Sequence, residues 1–289
     1  MKTTATPMSD TRRGRDIQTA KYAGCTPVWI AAWNGETVPN HEPDIHTAND
    51  NGATPIFAAA WNGHTETVAL LESLGAKVHN ADHSGCTPVY AAAWNGHTET
   101  VSLMVPLGAN IHKVDHEGCT PVFAAAWNGH NETVSLLVSL GADIHQTASH
   151  GFTSLYGAAR NGHAETVSLL HSLGADIHHA DDVGATPIFA AAENGHTETV
   201  ALIHSLGADI HKADMFGATA VYTAASKGDE KMVALLVSLG ANIRKAKCNG
   251  MTPLSAAMEH PNTADLLRME GCTLGTETMD VSTVEDVVG

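Results

Sequence analysis

Charge, aromatic rings and cysteine are all scarce in this 289-residue chain. Charged residues make up 16% and aromatics 5%, whereas globular domains usually carry about a quarter charged residues. With few large rings, the interior of a chain that is 43% hydrophobic must be mostly Ala, Val and Leu, which suits close helix packing. Basic residues are the scarcer charge. Lys and Arg number 15 against 31 Asp and Glu, a formal net charge of −16. Between Gly52 and Phe216 only Lys77, Lys113, Arg160 and Lys212 stand against 16 acids. Such a surface repels phosphate, which argues against nucleic acid and anionic membranes as partners. Five cysteines (Cys25, Cys86, Cys119, Cys248 and Cys272) form an odd set without CxxC spacing, unsuited to a disulfide framework or a zinc site. Thiols in a reducing compartment fit better. No stretch approaches the ~20 apolar residues of a membrane span, and residues 1–24 have no apolar signal-peptide core. A cytoplasmic location is therefore expected.

What the chain does have is a period. Gly52-Ala53-Thr54-Pro55 returns in kind at Gly85, Gly118, Gly151, Gly184, Gly217 and Gly250, each step being 33 residues. A fixed period in this range means stacked supersecondary pieces rather than one closed core. Each piece touches only its neighbours, so a long, curved molecule with one open face is expected.

Within residues 52–84 the local signals agree. Thr54 is placed to cap a helix and Pro55 to begin it, where its missing N–H costs nothing. The helix should run through Ile56 to Trp61 and stop near Gly63. A second should begin near Thr65, with Glu66 in the first turn. Val68, Leu70, Leu71 and Leu74 then form an apolar stripe at helical spacing, and Gly75 ends it. Residues 76–84 form a projecting loop. The small residues of the first helices, three consecutive alanines in four of them, allow close approach of successive copies.

Repeats therefore begin at residues 24, 52, 85, 118, 151, 184, 217 and 250, giving an array over 24–271. The first is short: 28 residues separate Gly24 from Gly52, and Pro39 and Pro43 forbid a normal second helix. The last is also short and its final helix more polar, as a terminal repeat requires. Residues 1–23 read as a flexible N-terminal segment. Residues 272–289, with four acids and no Lys or Arg, read as a disordered acidic tail.

Segments such as Gly118-Cys119-Thr120-Pro121-Val122-Phe123-Ala124-Ala125-Ala126-Trp127-Asn128-Gly129-His130, followed by Val134 to Leu140 and Gly141-Ala142-Asp143-Ile144, resemble the ankyrin repeat. That family has a 33-residue period and a T-P-L-H-x-A motif. The likeness covers about Gly24 to Gly271. It departs at the motif's His, replaced here by Trp29, Phe57, Tyr90, Phe123, Tyr156, Phe189 and Tyr222. Packing should replace that histidine's local hydrogen bond. The resemblance implies an all-α ankyrin-repeat solenoid of helix-turn-helix pairs with projecting loops, about eight stacked copies, acting as a protein–protein interaction module. It implies partners lying across a concave groove made by the loops and first helices, and no catalysis.

Trp33, Trp61, Trp94 and Trp127 recur at the end of the first helix, and Arg160, Glu193 and Ser226 take that place later. Stacked copies align the rings, and large aromatics are the usual interface anchors. Alternatively, each ring lies over the next copy, or the repetition records duplication alone. His83, Ser84, His116 and Glu117 at the loop tips would supply polar selection, and the acidic array favours a partner with a basic surface. Histidines also recur, at His64, His97, His130, His163 and His196 and at His79, His112, His145, His178 and His211. Copies about 10 Å apart do not converge on one ion, so no metal is expected. Nor is a cofactor, because no phosphate-cradling loop, nucleophile–base pair or carboxylate pair stands out. The expected function is a monomeric, non-enzymatic binding scaffold. The alternatives are a passive spacer, or a substrate adaptor working with a separate enzyme subunit.

Overall fold

The computed structural model describes residues 24–38 and 43–271. The N-terminal segment, Pro39 and the C-terminal tail lie outside the described residues. Within them the fold is all-helical, an isolated bridge between Ala213 and Thr219 being the extended pairing seen.

Each full repeat is an antiparallel helix pair. The opening repeat has α1 (Pro27–Asn34) and a 3-10 turn (Pro43–His46) where others have a second helix. Then follow α2 (Pro55–Trp61) with α3 (Thr65–Ser73), α4 (Pro88–Trp94) with α5 (Thr98–Met104), and α6 (Pro121–Trp127) with α7 (Asn131–Ser139). The pairs α8 (Ser154–Arg160) with α9 (Ala164–Ser172) and α10 (Pro187–Glu193) with α11 (Thr197–Ser205) come next. Last are α12 (Ala220–Lys227) with α13 (Glu230–Ser238), and the short α14 (Pro253–Ala256) with α15 (Pro261–Met269). Helix α5 ends early because Pro106 lies ahead of it, and proline cannot continue a helix.

The chain divides into two compact units, Met1–Asp176 and Ile177–Gly289. In the first, α1, α2, α4, α6 and α8 pack in succession, as do α3, α5, α7 and α9, making two helical layers. In the second, α10 packs on α12 and α12 on α14, while α11 packs on α13 and α13 on α15. The alanine triplets Ala58–Ala60, Ala91–Ala93 and Ala124–Ala126 are buried completely. The aromatics in place of the family histidine are buried too, from Trp29 to Tyr222. Trp29 adds a tie to the next repeat, its Nε1 donating to the Ala53 carbonyl at 2.9 Å.

Threonine caps start most first helices. The hydroxyls of Thr26, Thr87, Thr120, Thr153 and Thr219 accept from the backbone N–H three residues on. Thr54 departs from expectation. It has the extended cap geometry, but its buried hydroxyl makes no cap bond. In the second layer, hydroxyls join neighbouring copies: Thr65 with Thr100 at 2.8 Å, Thr98 with Thr133 at 2.7 Å, and Thr166 donating to Asn131 Oδ1 at 2.6 Å.

Loops have their own staple. Asp82 Oδ1 accepts from the N–H groups of Ser84 and Cys86, both at 2.9 Å. Asp115, Asp181 and Asp214 repeat the pattern. Ala148 occupies that position ahead of Gly151. There the chain forms a 3-10 turn, Ser149–Gly151, with His150 at φ 65°.

Candidate functional site

Each tryptophan of the row lies at the end of its first helix, four residues after a buried aromatic. That spacing lays one ring over the other on the same helix face. Trp33 stacks on Trp29 at 5.2 Å between centroids, Trp61 on Phe57 and Trp94 on Tyr90 at 6.2 Å, and Trp127 on Phe123 at 5.7 Å. All four pairs are near parallel, so the indoles share one posture. Their exposure differs. Trp33, Trp61 and Trp94 are half-buried, while Trp127 keeps 4% of its surface.

The reason lies in the next repeat. Gly157 stands where α2, α4, α6 and α10 carry the first of three alanines, and a Cβ built there would sit 2.9 Å from Trp127 Cε3. The ring occupies the space that this missing methyl leaves. Its Nε1 is buried there without a hydrogen-bond partner. Spacing alone could not reveal the difference, since the letter that decides it lies 30 residues downstream. The signal was available as Gly-Ala-Ala in place of Ala-Ala-Ala.

The backbone of the row is held by the recurring Asn-Gly-His. Nε2 of His64, His97 and His130 lies 3.0 Å from the carbonyl oxygens of Trp33, Trp61 and Trp94. A carbonyl only accepts, so each Nε2 carries the proton. The bond reaches back one repeat and satisfies a helix-end carbonyl that has no partner within its own helix. Room for the imidazole comes from the preceding glycine. At Gly63 (φ 72°) a Cβ would lie 2.4 Å from His97 Nδ1, so both backbone angle and space require glycine. Burial holds His97 below the ordinary histidine pKa, opposed by its bond to the Trp61 carbonyl and aided by nearby His130 and His64. Burial lowers His130 in the same way against its Trp94 bond.

At the loop tips His83, Ser84 and His116 are exposed and Glu117 is half-buried. Adjacent tips are joined by backbone: His83 N–H donates to Asn51 O at 2.9 Å, His116 N–H to Ser84 O at 3.0 Å, and Ser149 N–H to Glu117 O at 2.7 Å. The repeat from Gly151 differs. Phe152 stacks on Tyr156 at 4.6 Å, and the Arg160 guanidinium lies 5.9 Å over the Phe152 ring, at the row position the tryptophans hold before it. Cys86 and Cys119 are buried.

The family model for ankyrin repeats matches overlapping stretches from residue 28 to residue 278. The chain belongs to the ankyrin repeat family. A crystal structure of the human ASB11 ankyrin repeat domain superposes with a TM-score of 0.69 at 22% identity, covering 77% of this chain and 100% of that one. At that identity the likeness is one of fold. Comparison with curated proteins gives no match. Ankyrin repeats generally mediate protein–protein interaction and are typically non-catalytic. Among the described residues of this ankyrin array, no helix is long and apolar enough to cross a membrane.

Proposed function

We propose that this ankyrin array is a binding scaffold whose contact row is formed by Trp33, Trp61 and Trp94, with Trp127 as its buried floor. His83, Ser84, His116 and Glu117 select the partner at the loop tips. One observation carries the reading: three indoles in the same posture stay half-buried although a neighbouring copy of the motif buries its ring. Exposed aromatic faces at regular spacing offer large contact area at low entropic cost. The excess of acids over 52–216 favours a partner presenting basic groups there. The scaffold needs no chemistry of its own to do this.

A second reading has support from Trp127 and from the histidine bonds: the row serves stacking, and the array is a spacer. Affinity capture with the full chain against a Trp61→Ala/Trp94→Ala variant separates the two. Loss of specific proteins from the variant, with folding retained by circular dichroism, is expected. If both forms hold the same proteins, the row is packing.

A further inference from the structure

Loop tips change character in the second compact unit. In place of His83-Ser84 and His116-Glu117 stand Asp182-Val183 and Met215-Phe216, and Met251 follows the next tip, Cys248-Asn249, at the position that Cys86 and Cys119 hold earlier. Met215 is 64% exposed, Phe216 47%, Met251 41% and Val183 36%. Backbone bonds tie together the loops that carry them. Met215 N–H donates to Val183 O at 2.8 Å, Cys248 N–H to Phe216 O at 3.0 Å, and Lys247 N–H to Met251 O at 3.0 Å. Tyr222 Oη also lies 3.8 Å from Met251 Sδ. Helix packing makes no demand on residues at a loop tip, so exposed apolar side chains there have no structural use.

Charge changes along with them. Over 217–271, Lys227, Lys231, Arg244, Lys245, Lys247 and Arg268 outnumber Asp229, Glu230, Glu259, Asp265 and Glu270. The basic side is set against the apolar tips. Lys247 holds its ammonium 5.0 Å from the Tyr222 ring centroid, beside Met251, and Arg244 and Lys245 are exposed on the same loop. At the other end Asp182 is exposed next to Val183, whereas Asp181 and Asp214 accept bonds from the loop backbone.

We infer that the tips Val183, Met215 and Phe216, with Met251 of the next loop, form a second docking surface, for a protein segment carrying apolar side chains followed by carboxylates that meet Lys247. Its charged edge is basic, supplied by Lys247 in the loop beyond residue 216, and it does not rest on the tryptophan row. Methionine and phenylalanine supply adaptable apolar area. Lys247 fixes polarity, since a basic segment would meet like charge at that end.

A random peptide library displayed on phage, selected on the full chain, tests this. Peptides retained by the wild type and lost on Met215→Ser/Phe216→Ser should join aromatic or aliphatic residues to Asp or Glu. Lys247→Glu should weaken those peptides at least about tenfold. Trp61→Ala/Trp94→Ala should leave them bound, so failure of this surface and failure of the row are distinguishable. Circular dichroism establishes that each variant folds. The inference is overturned if the tip variants retain the same peptides, or if the selected sequences are basic. It also falls if binding emerges only after residues 272–289 are removed, because the chain's own acidic end would then be the occupant. A dimer that Phe216→Ser makes monomeric would mean that a second copy covers the tips.

Discussion

Gly157 is the residue whose side chain matters by being absent. Alanine there places a methyl 2.9 Å from the Trp127 ring. Because Trp61 and Trp94 stand before alanines and stay half-buried, the ring has a neighbouring posture to adopt. Gly157→Ala should therefore expose Trp127, giving a red-shifted emission and stronger acrylamide quenching. Stability should fall by up to about 2 kcal/mol, as overpacking costs ~1–3 kcal/mol against up to ~1 kcal/mol gained in helix propensity. Urea denaturation reads the sum. Unchanged emission would show that the glycine does not set the burial. His97 makes a second residue-scale prediction. Its folded pKa lies below the unfolded value, so the unfolded chain binds the proton more readily. The stabilising contribution is then complete above about pH 6.5 and is lost as pH falls below it. Gln at this position can still donate to the Trp61 carbonyl but cannot titrate. His97→Gln should thus lose less stability than the wild type between pH 7.5 and 5.5, while the general relief of negative charge acts on both alike. Parallel thermal melts at the two pH values check the difference.

At the scale of elements, four of the loops depend on one carboxylate each, Asp82, Asp115, Asp181 or Asp214. Asp82→Ala removes the acceptor for two backbone N–H groups and should cost roughly 1–2 kcal/mol, measured as a lower urea midpoint. Asp82→Asn should recover most of that, because its side-chain oxygen still accepts, as Asn49 does for Asn51 and Ala53. Equal loss in both variants would assign the effect to charge instead. Helix positions were readable from sequence because proline, threonine and glycine mark both ends of each helix. Residues 55–61 and 65–73 fall where those letters put them. The early end of α5 is also written, in Pro106, a letter the regular copies on either side lack. The turn at Ser149–Gly151 was less legible. Ala148 removes the acceptor, but which backbone angles follow depends on how Phe152 packs, a matter between elements.

For the whole molecule, charge is the property that composition states outright. A net charge of −16 on 289 residues opposes compaction. Raising ionic strength from low to physiological values should therefore raise the melting temperature, and should weaken association with a basic partner. A melting temperature that salt leaves unmoved would mean that the carboxylates lie too far apart to repel. The family and its two-helix layers were legible because 33 recurring letters fix where each helix must lie relative to the next. The site was legible only in part. Repetition picks out rows but not how deep each member sits, and the apolar tips at Met215 and Phe216 do not recur in the other copies. The pairing of each imidazole with the glycine of the preceding copy has one more consequence. A joint made the same way at Gly35/His64, Gly63/His97 and Gly96/His130 makes the pieces between them interchangeable, so a gene could lengthen or shorten this stretch by whole cassettes without designing a new seam. At Gly195 the partner is Asp229, and Lys227 donates to the Glu193 carbonyl. A cassette cut there would not fit the other seams, although the glycine–imidazole pairing returns at Gly228/His260.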